Sequence, residues 1–354
     1  MAFLKLTSPH AHTGGTTGNV MLVVLVATFP GILALISFFG LGSVTNIILC
    51  AGFCLAFEAG FLKLRNRPIA FYLRDFSALV TAVLLAISLP PYAPWWLILV
   101  GCFFAIVVAK HLYGGMGYNP FNPAMVAYVV LLISFPVEMT RWTVPFSLVA
   151  DGYSLPGIID TLSLVFLGAD SINYIDAITS ATPLDIVKQN QSLTMDGLYA
   201  NEAILSAGKW AGDGWEWINF CFLIGGAFLL YKRIYSWHAP VGMLASLAVL
   251  SALFYDGGSS ASLGSPIFHW LSGATMFGAF FIVTDPVTSA VSQKGRLIYG
   301  IGIGSLVFVI RSWGSYPDAI AFAVLLMNFA APFIDYYTLP RTYGHKKANS
   351  GRIK

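Results

Sequence analysis

The segment Asp176-Ala177-Ile178-Thr179-Ser180-Ala181-Thr182-Pro183-Leu184-Asp185 places three hydroxyls and two carboxylates within ten residues of a largely apolar chain. Thr182 to Asp185 reads as a helix start. Thr is the N-cap, Pro fills the first helical position, and Asp closes a capping-box-like arrangement. The same geometry suits a second chemistry. A phosphate esterified to the Thr182 hydroxyl would stand at a helix N-terminus, where free N–H groups and the macrodipole favour an anion. Two other carboxylates draw attention: Glu58, inside the second apolar run, and Asp285, near the end of the eighth. A carboxylate at membrane depth is a candidate ion carrier, able to exchange a proton or hold a sodium ion. Asp75, His269, Arg311 and Asp335 lie near span ends and read as interfacial anchors. Cys50, Cys54, Cys102 and Cys221 fall within apolar runs. They read as small buried hydrophobes, since two thiols on one helix face do not make a metal site. Neither a metal centre nor a catalytic side chain is expected.

Composition says what must hold these groups. Of the 354 residues, 57% are apolar and only 10% charged, against about 25% charged in a soluble domain. Such a chain cannot cover a water-exposed surface of this size, so its main partner is a lipid bilayer, and no nucleic acid is expected among its partners. Runs long enough to span occur near 21–39, 43–62, 76–92, 95–112, 122–137, 215–231, 239–255, 267–284, 296–312 and 317–338. The polar stretch before the first run is not a removable leader, because that run is long enough to anchor. With both termini in the cytoplasm, 15 of the 19 lysines and arginines fall on the cytoplasmic side. The other side keeps Arg141, Lys188, Lys209 and Arg311.

Five spans precede the long polar segment and five follow it, which makes the halves inverted relative to each other. Pro123 to Phe135, PAMVAYVVLLISF, aligns with Pro317 to Phe329, PDAIAFAVLLMNF, at an offset of 194. Ser77 to Pro91 aligns more weakly with Ser272 to Pro286 at an offset of 195. The expected fold is therefore an all-α polytopic membrane protein of about ten transmembrane helices, arranged as two inverted five-helix repeats with a periplasmic loop domain. Residues 1–20 form a cytoplasmic N-terminus, 21–137 the first repeat, 138–214 the periplasmic loop, 215–338 the second repeat, and 339–354 a basic cytoplasmic tail. Gly114 to Met125, Ser312 to Ile320 and Thr284 to Ser289 are rich in helix breakers. They read either as turns or as linings for a cofactor or ion.

The stretches GGMGYNPFNPAMVAYVVLLISFPVEMT, SATPLD, LSGATMFGAFFIVTDPVT and RSWGSYPDAIAFAVLLMN, with YGH near the C-terminus, carry a resemblance across nearly the whole length. The chain resembles the D-subunit family of the Rnf (Rsx) ion-translocating oxidoreductase complexes. It also resembles, more distantly, the B-subunit of the sodium-translocating NADH:quinone reductase. The resemblance implies FMN bound covalently through its phosphate to a threonine. The pattern for this is Asp, two residues, Ser or Thr, a small residue, then Ala-Thr. Asp176, Thr179, Ser180, Ala181 and Thr182 match it, with Ser180 where Gly is common. A flavin transferase acting outside the cytoplasm would install the group, on the side where the charge count puts Thr182. A second, noncovalent flavin, riboflavin, is also implied, without a place in this sequence.

The resemblance further implies residence in the bacterial inner membrane, flavin and iron–sulfur partner subunits, and electron transfer coupled to H+ or Na+ translocation. With no NAD-binding glycine fingerprint and no cysteine cluster, the chain would not be a complete enzyme alone. Ser272-Gly273-Ala274-Thr275 repeats the core of the flavin pattern, but His269 stands where Asp is expected, inside an apolar run. It reads as helix packing by small residues. The competing function is a solute channel without redox chemistry, because the implied architecture is similar to that of urea-type channels.

Overall fold

The computed structural model describes residues 16–150, 152–168, 175–190, 192–256 and 263–338, with only the backbone at 175–176. The expectations for 1–15 and for the tail 339–354 lie outside the described residues. The elements in chain order begin with α1 (Thr17–Phe39), α2 (Gly42–Leu64), α3 (Ile69–Leu73), α4 (Ser77–Ser88) and α5 (Trp95–Phe103). Helix α5 continues as a π-helical segment over Phe104–His111. Next come α6 (Pro123–Ser134), α7 (Pro136–Thr140), β1 (Trp142–Thr143), α8 (Ile158–Leu167), β2 (Thr179–Ser180), α9 (Pro183–Gln189), α10 (Met195–Asn201) and α11 (Ala203–Ala207). The second half holds α12 (Trp215–Tyr231), α13 (His238–Leu253), α14 (Pro266–Leu271), α15 (Thr275–Phe277, continuing as a π-segment over Gly278–Ile282), α16 (Gln293–Trp313) and α17 (Ile320–Thr338).

Each of the ten predicted spans meets one helix or one broken helix, because an apolar run in lipid must satisfy its backbone within itself. Among the described residues, α1, α2, α16 and α17 are long and apolar enough to cross a membrane, and six shorter apolar helices accompany them. The protein is an all-α polytopic membrane protein. The only sheet among the described residues is the antiparallel pair β1–β2, which sets Trp142 opposite Ser180 and Thr143 opposite Thr179.

Packing recurs between the halves. Helix α2 packs on α4 and α5, and α13 packs on α14 and α16; α5 with its π-segment packs on α6, and α16 packs on α17. The equivalent helices α1 and α12 meet each other, as do α6 and α17. Glycine permits the closest of these approaches. A Cβ at Gly300 would lie 2.2 Å from the Ala239 carbonyl oxygen, and one at Gly304 2.2 Å from that of Met243. Gly300 and Gly304 share a helix face four residues apart, the small-xxx-small spacing that lets membrane helices touch backbone to backbone. In the α1–α12 pair, a Cβ at Gly225 would lie 2.1 Å from the Ala27 carbonyl oxygen.

The eighth predicted span departs from expectation. It is not one helix but two, broken at Ser272–Ala274, with Gly273 at φ +56°. The freed backbone groups are received by a neighbouring helix. Asn219 of α12 donates through Nδ2 to the carbonyls of Leu271 (2.9 Å) and Gly273 (2.8 Å), and its Oδ1 accepts from the Met276 N–H (3.0 Å). Irregular backbone at membrane depth persists only with such protein partners.

The α13–α16 contact yields a direct test. Gly300→Leu forces a side chain into the α13 backbone and should destabilise the protein by at least about 1–3 kcal/mol. Gly52, with nothing within 4 Å of its would-be Cβ, should tolerate Ala. Thermal unfolding of the detergent-solubilised protein would show a lowered midpoint for the first variant and an unchanged one for the second.

Candidate functional site

The flavin-pattern residues are positioned from both sides. Ile175–Ile178 forms a 3-10 turn, and the fully buried Ile178 anchors it. The Ile178 carbonyl accepts from the Val144 N–H (2.8 Å), and Thr179 and Ser180 pair with β1. Ala181 is exposed and Thr182 half-buried. The Asp176 side chain lies outside the described residues, so only its place in the turn is fixed. Thr182 is the N-cap of α9, as its sequence predicts, in a complete capping box. Its Oγ1 accepts from the Asp185 N–H (3.3 Å) and donates to Asp185 Oδ2 (2.6 Å), which also accepts from the Thr182 N–H (3.2 Å).

Thr182 opens onto a cleft between the two halves. Leu35, Tyr128 and Trp142 wall it on one side, and Trp215, Phe222 and Phe277 on the other. Gly273 and Ala274 from the helix break, and Tyr316 to Asp318 from the predicted break at Ser312–Ile320, complete it. Its volume is about 90 Å³. Trp142 and Trp215 meet at 5.0 Å between ring centroids, and both pack on Phe39.

The competing threonine is differently placed. Thr275 is fully buried. Its Oγ1 donates to the carbonyls of His269 (2.8 Å) and Ser272 (3.0 Å) and accepts from Arg311 Nη2 (2.9 Å). The expectation of simple small-residue packing is corrected here: Thr275 is a polar knot that closes the helix break. The reading of His269 and Arg311 as interfacial anchors is corrected as well. They are 2% and 5% exposed, and Arg311 Nη1 donates to the His269 carbonyl (2.9 Å). A guanidinium held this way serves the broken backbone rather than the lipid interface.

At the opposite, basic end lies a second cavity of about 250 Å³, lined by α1 and α4, by Asn119 and Asn122 from the Gly114–Met125 break, and by Thr284 to Val287 with Ser289. All three sequence breaks thus line cavities. Asp285 lines this cavity directly and accepts from the Val287 N–H (3.2 Å) and the Thr288 hydroxyl (2.9 Å).

Glu58 does not reach the cavity itself. It is 3% exposed and receives both Lys110 Nζ hydrogen bonds, at 2.8 and 2.7 Å. Lys110, also 3% exposed, lines the cavity and donates to Ser77 Oγ (2.9 Å), which donates to Asp75 Oδ1 (2.6 Å). His111 Nε2 stands 3.4 Å from Glu58 Oε2, an ion-pair distance without hydrogen-bond geometry. The charge count assigns Lys110 only to the cytoplasmic side; the structure adds that it is buried. The available signal is a lysine inside the 95–112 apolar run. Lys110 and His111 sit at the end of the π-segment, a geometry frequent at functional sites.

Three phenylalanines separate the two cavities. Phe281 lines the basic-end cavity, Phe222 and Phe277 line the cleft, and Phe222 touches both others at 5.0 and 5.9 Å. The cysteines are free, and no group that could hold a metal exists among the described residues.

The buried Glu58–Lys110 pair should dominate local stability. Removing one partner of such a pair costs about 3–5 kcal/mol, whereas replacing both is far milder. Lys110→Met should therefore lower the unfolding midpoint more than Glu58→Gln with Lys110→Met together. Equal losses in the two would mean that the pair carries no coupling.

The NQR2, RnfD, RnfE family matches residues 5–344 of this chain. The chain is 62% identical to the D-subunit of the ion-translocating oxidoreductase complex of Cellvibrio japonicus over 348 residues, 98% of this chain and 96% of the relative. It is 59% identical to the same D-subunit from Ectopseudomonas mendocina, covering 99% and 98%. With the Vibrio cholerae protein it shares 51% identity, covering 98% of this chain and 100% of the relative. The match runs through both halves and the Thr182 loop between them, so the chain belongs to the NQR2, RnfD, RnfE family.

Proposed function

We propose that this chain is the membrane flavoprotein subunit of an Rnf-type electron-transport complex, carrying FMN as a phosphoester on Thr182 and passing electrons coupled to H+ or Na+ movement. The observation that carries the reading is the contrast between two threonines in similar sequence settings. Thr182 is half-buried beside an exposed Ala181, at the mouth of an aromatic cleft. Thr275 is sealed in a polar knot with its hydroxyl engaged three times. A flavin transferase could reach only the first.

The residues present suit the group in kind. Thr182 would hold the ester, and β1–β2 fixes Thr179 and Ser180 just before it. Apolar and aromatic walls suit a flat ring system. The cleft's 90 Å³ is below the roughly 300 Å³ of small-molecule pockets. The ring must therefore widen the cleft or rest at its mouth. Bound FMN supplies the one- and two-electron chemistry; the protein supplies position and electrostatics. Esterification removes the hydrogen that Thr182 Oγ1 gives to Asp185, so the Asp185 carboxylate must turn away from the phosphate. Helix α9 has only seven residues, and its dipole adds little to anion binding.

In this reading the loop end faces the periplasm, the chain sits in the bacterial inner membrane, and both termini are cytoplasmic. Flavin and iron–sulfur subunits of the same complex exchange electrons with it. Riboflavin is the second, noncovalent flavin. Asp285 and Glu58 are the carboxylates of the ion pathway, the first on the basic-end cavity and the second connected to it through Lys110. A solute channel would need Phe222, Phe277 and Phe281 to part before the two cavities could join.

Protein produced with the flavin transferase, denatured and viewed on a gel under ultraviolet light, should fluoresce. Thr182→Val should abolish the signal, and Thr275→Val should leave it in whatever protein folds. A dark unmutated band beside an active transferase, or loss in Thr275→Val alone, would sink the assignment.

A further inference from the structure

Helix α8, in the loop between the two halves, differs from its neighbours in what it shows to its surroundings. Its inner face is buried through Thr161, Leu164 and Val165. Ile158, Ile159, Leu162, Phe166 and Leu167 are exposed, from 45% at Leu162 to 79% at Ile159. At 3.6 residues per turn the first four of these fall within about 100° of arc, a continuous apolar stripe. Asp160 and Ser163 form a narrow polar strip between the stripe and the packed face. The other loop helices behave as helices in water do: none of α9, α10 and α11 exposes a large apolar side chain.

Both ends of α8 sit at the ends of membrane spans. Ahead of it, Leu155 packs on the α1–α2 turn, where a Cβ at Gly40 would lie 3.4 Å from Leu155 Cδ1. At its far end, Leu164 and Gly168 share a cavity of about 300 Å³ with Pro90, Tyr92, Pro94 and Trp96, from the α4–α5 turn and the start of α5. In between, the helix packs on α2. It therefore lies across span ends rather than standing off in water. The exposed Trp95, first residue of α5, marks the same level, since tryptophan collects at the membrane–water interface. Ten residues of helix reach about 15 Å, roughly half the hydrocarbon thickness, so α8 can enter the interface and cannot cross the bilayer.

The composition of the stripe restricts what covers it. Its Ile, Leu and Phe side chains carry no hydrogen-bonding group, whereas the anchors of protein interfaces draw on Trp, Tyr and Arg. No lysine or arginine occurs from Trp142 to Gly168, so anionic headgroups find no charge to hold and the attraction is apolar alone. An aliphatic face at the level of the span ends, on a chain whose spans already stand in lipid, meets acyl chains.

We propose that α8 is a membrane-interface helix whose stripe of Ile158, Ile159, Leu162 and Phe166 is seated in the acyl chains of the leaflet at the loop end, with Ser163 at its water-facing edge. The seat ties the loop to the bilayer close to β2, because Ile178 and Thr179 line the same cavity as Leu164 and Gly168. The segment leading to Thr182 is thereby held at the membrane surface rather than carried on a free loop. The seat stands whether or not Thr182 carries a flavin.

The test is spin-label accessibility in the full-length protein in phosphatidylcholine nanodiscs. Leu162→Cys, Ser163→Cys and Phe166→Cys each carry a nitroxide, and Ser206→Cys, on the exposed side of α11, is the water reference. Cys221→Ser removes the one native cysteine that is not buried. The ratio of collisions with oxygen, which concentrates in lipid, to collisions with a water-soluble nickel chelate should be at least several-fold higher at Leu162 and Phe166 than at Ser206, with Ser163 between. In native membranes, a photoreactive benzoylphenylalanine at Leu162 should form adducts with lipid. Ratios at Leu162 and Phe166 equal to that at Ser206 would place the stripe in water and overturn the proposal. Adducts from Leu162 with another polypeptide or a second copy would overturn it too, by making the stripe a protein interface.

Discussion

A membrane offers no hydrogen-bond partner to a broken helix, and the break at Ser272–Ala274 is where this protein meets that constraint most directly. Three side chains meet it. Asn219 takes backbone groups on both sides of the break, Thr275 caps back onto His269 and Ser272, and Arg311 binds both Thr275 and the His269 carbonyl. The cleft beside Thr182 depends on this knot, since Gly273 and Ala274 form part of its wall. So does the seat of α9. A Cβ on Gly273 would fall 2.6 Å from Leu184 Cδ1, and the backbone there is left-handed, so only glycine lets α9 settle against the break.

Buried charge is handled by the same logic at the other end. Glu58 and Lys110 neutralise each other, and Ser77 with Asp75 extends the chain of contacts toward the α3–α4 turn. A carboxylate so tightly paired is not free to hold a cation, whereas among the described residues Asp285 accepts from a neighbouring N–H and hydroxyl alone. If both serve one ion pathway, they serve it differently. In that proposed pathway Asp285, on the cavity wall, would meet the ion, and Glu58 would act only by changing its hold on Lys110, which also stands on that wall. The Phe222–Phe277–Phe281 contact then keeps any ion or water in that cavity from the cleft beyond it.

The helices were legible because each apolar run is a local signal, and lipid forces such a run to be helical. The Thr182 cap was legible for the same reason, since all its partners lie within four residues of chain. The break in α14–α15 was hidden because its partners are distant in sequence. Asn219 lies 54 residues from Gly273, and Arg311 lies 36 from Thr275. The burial of Lys110 was hidden because a charge count assigns a side and not a depth, and its partner Glu58 is 52 residues away. The GxxxG contact of Gly300 and Gly304 was in plain view but reads as an ordinary apolar stretch until α13 is seen against it. The cleft could not be read at all, because its walls come from both halves and from the loop between them.

The capping box and a phosphoester on Thr182 compete for the same atoms, and their energies decide whether they can follow one another. An N-cap is worth about 0.5–2 kcal/mol, little enough for a modification to displace it. Helix α9 does not rest on its cap alone. Pro183 packs on Gly212, where a Cβ would come within 2.7 Å of its ring, and Leu184 packs on Gly273. Lys188 ties the far end of the helix to Ile310 and Tyr316. With both flanks held by tertiary contacts, Asp185 can release Thr182 without unseating the helix. The Asp185 N–H that Thr182 Oγ1 now satisfies is then open to a phosphate oxygen. If Thr182 carries the proposed phosphoester, its helix start can give up the capping hydroxyl while the contacts of Pro183, Leu184 and Lys188 keep the fold around it in place.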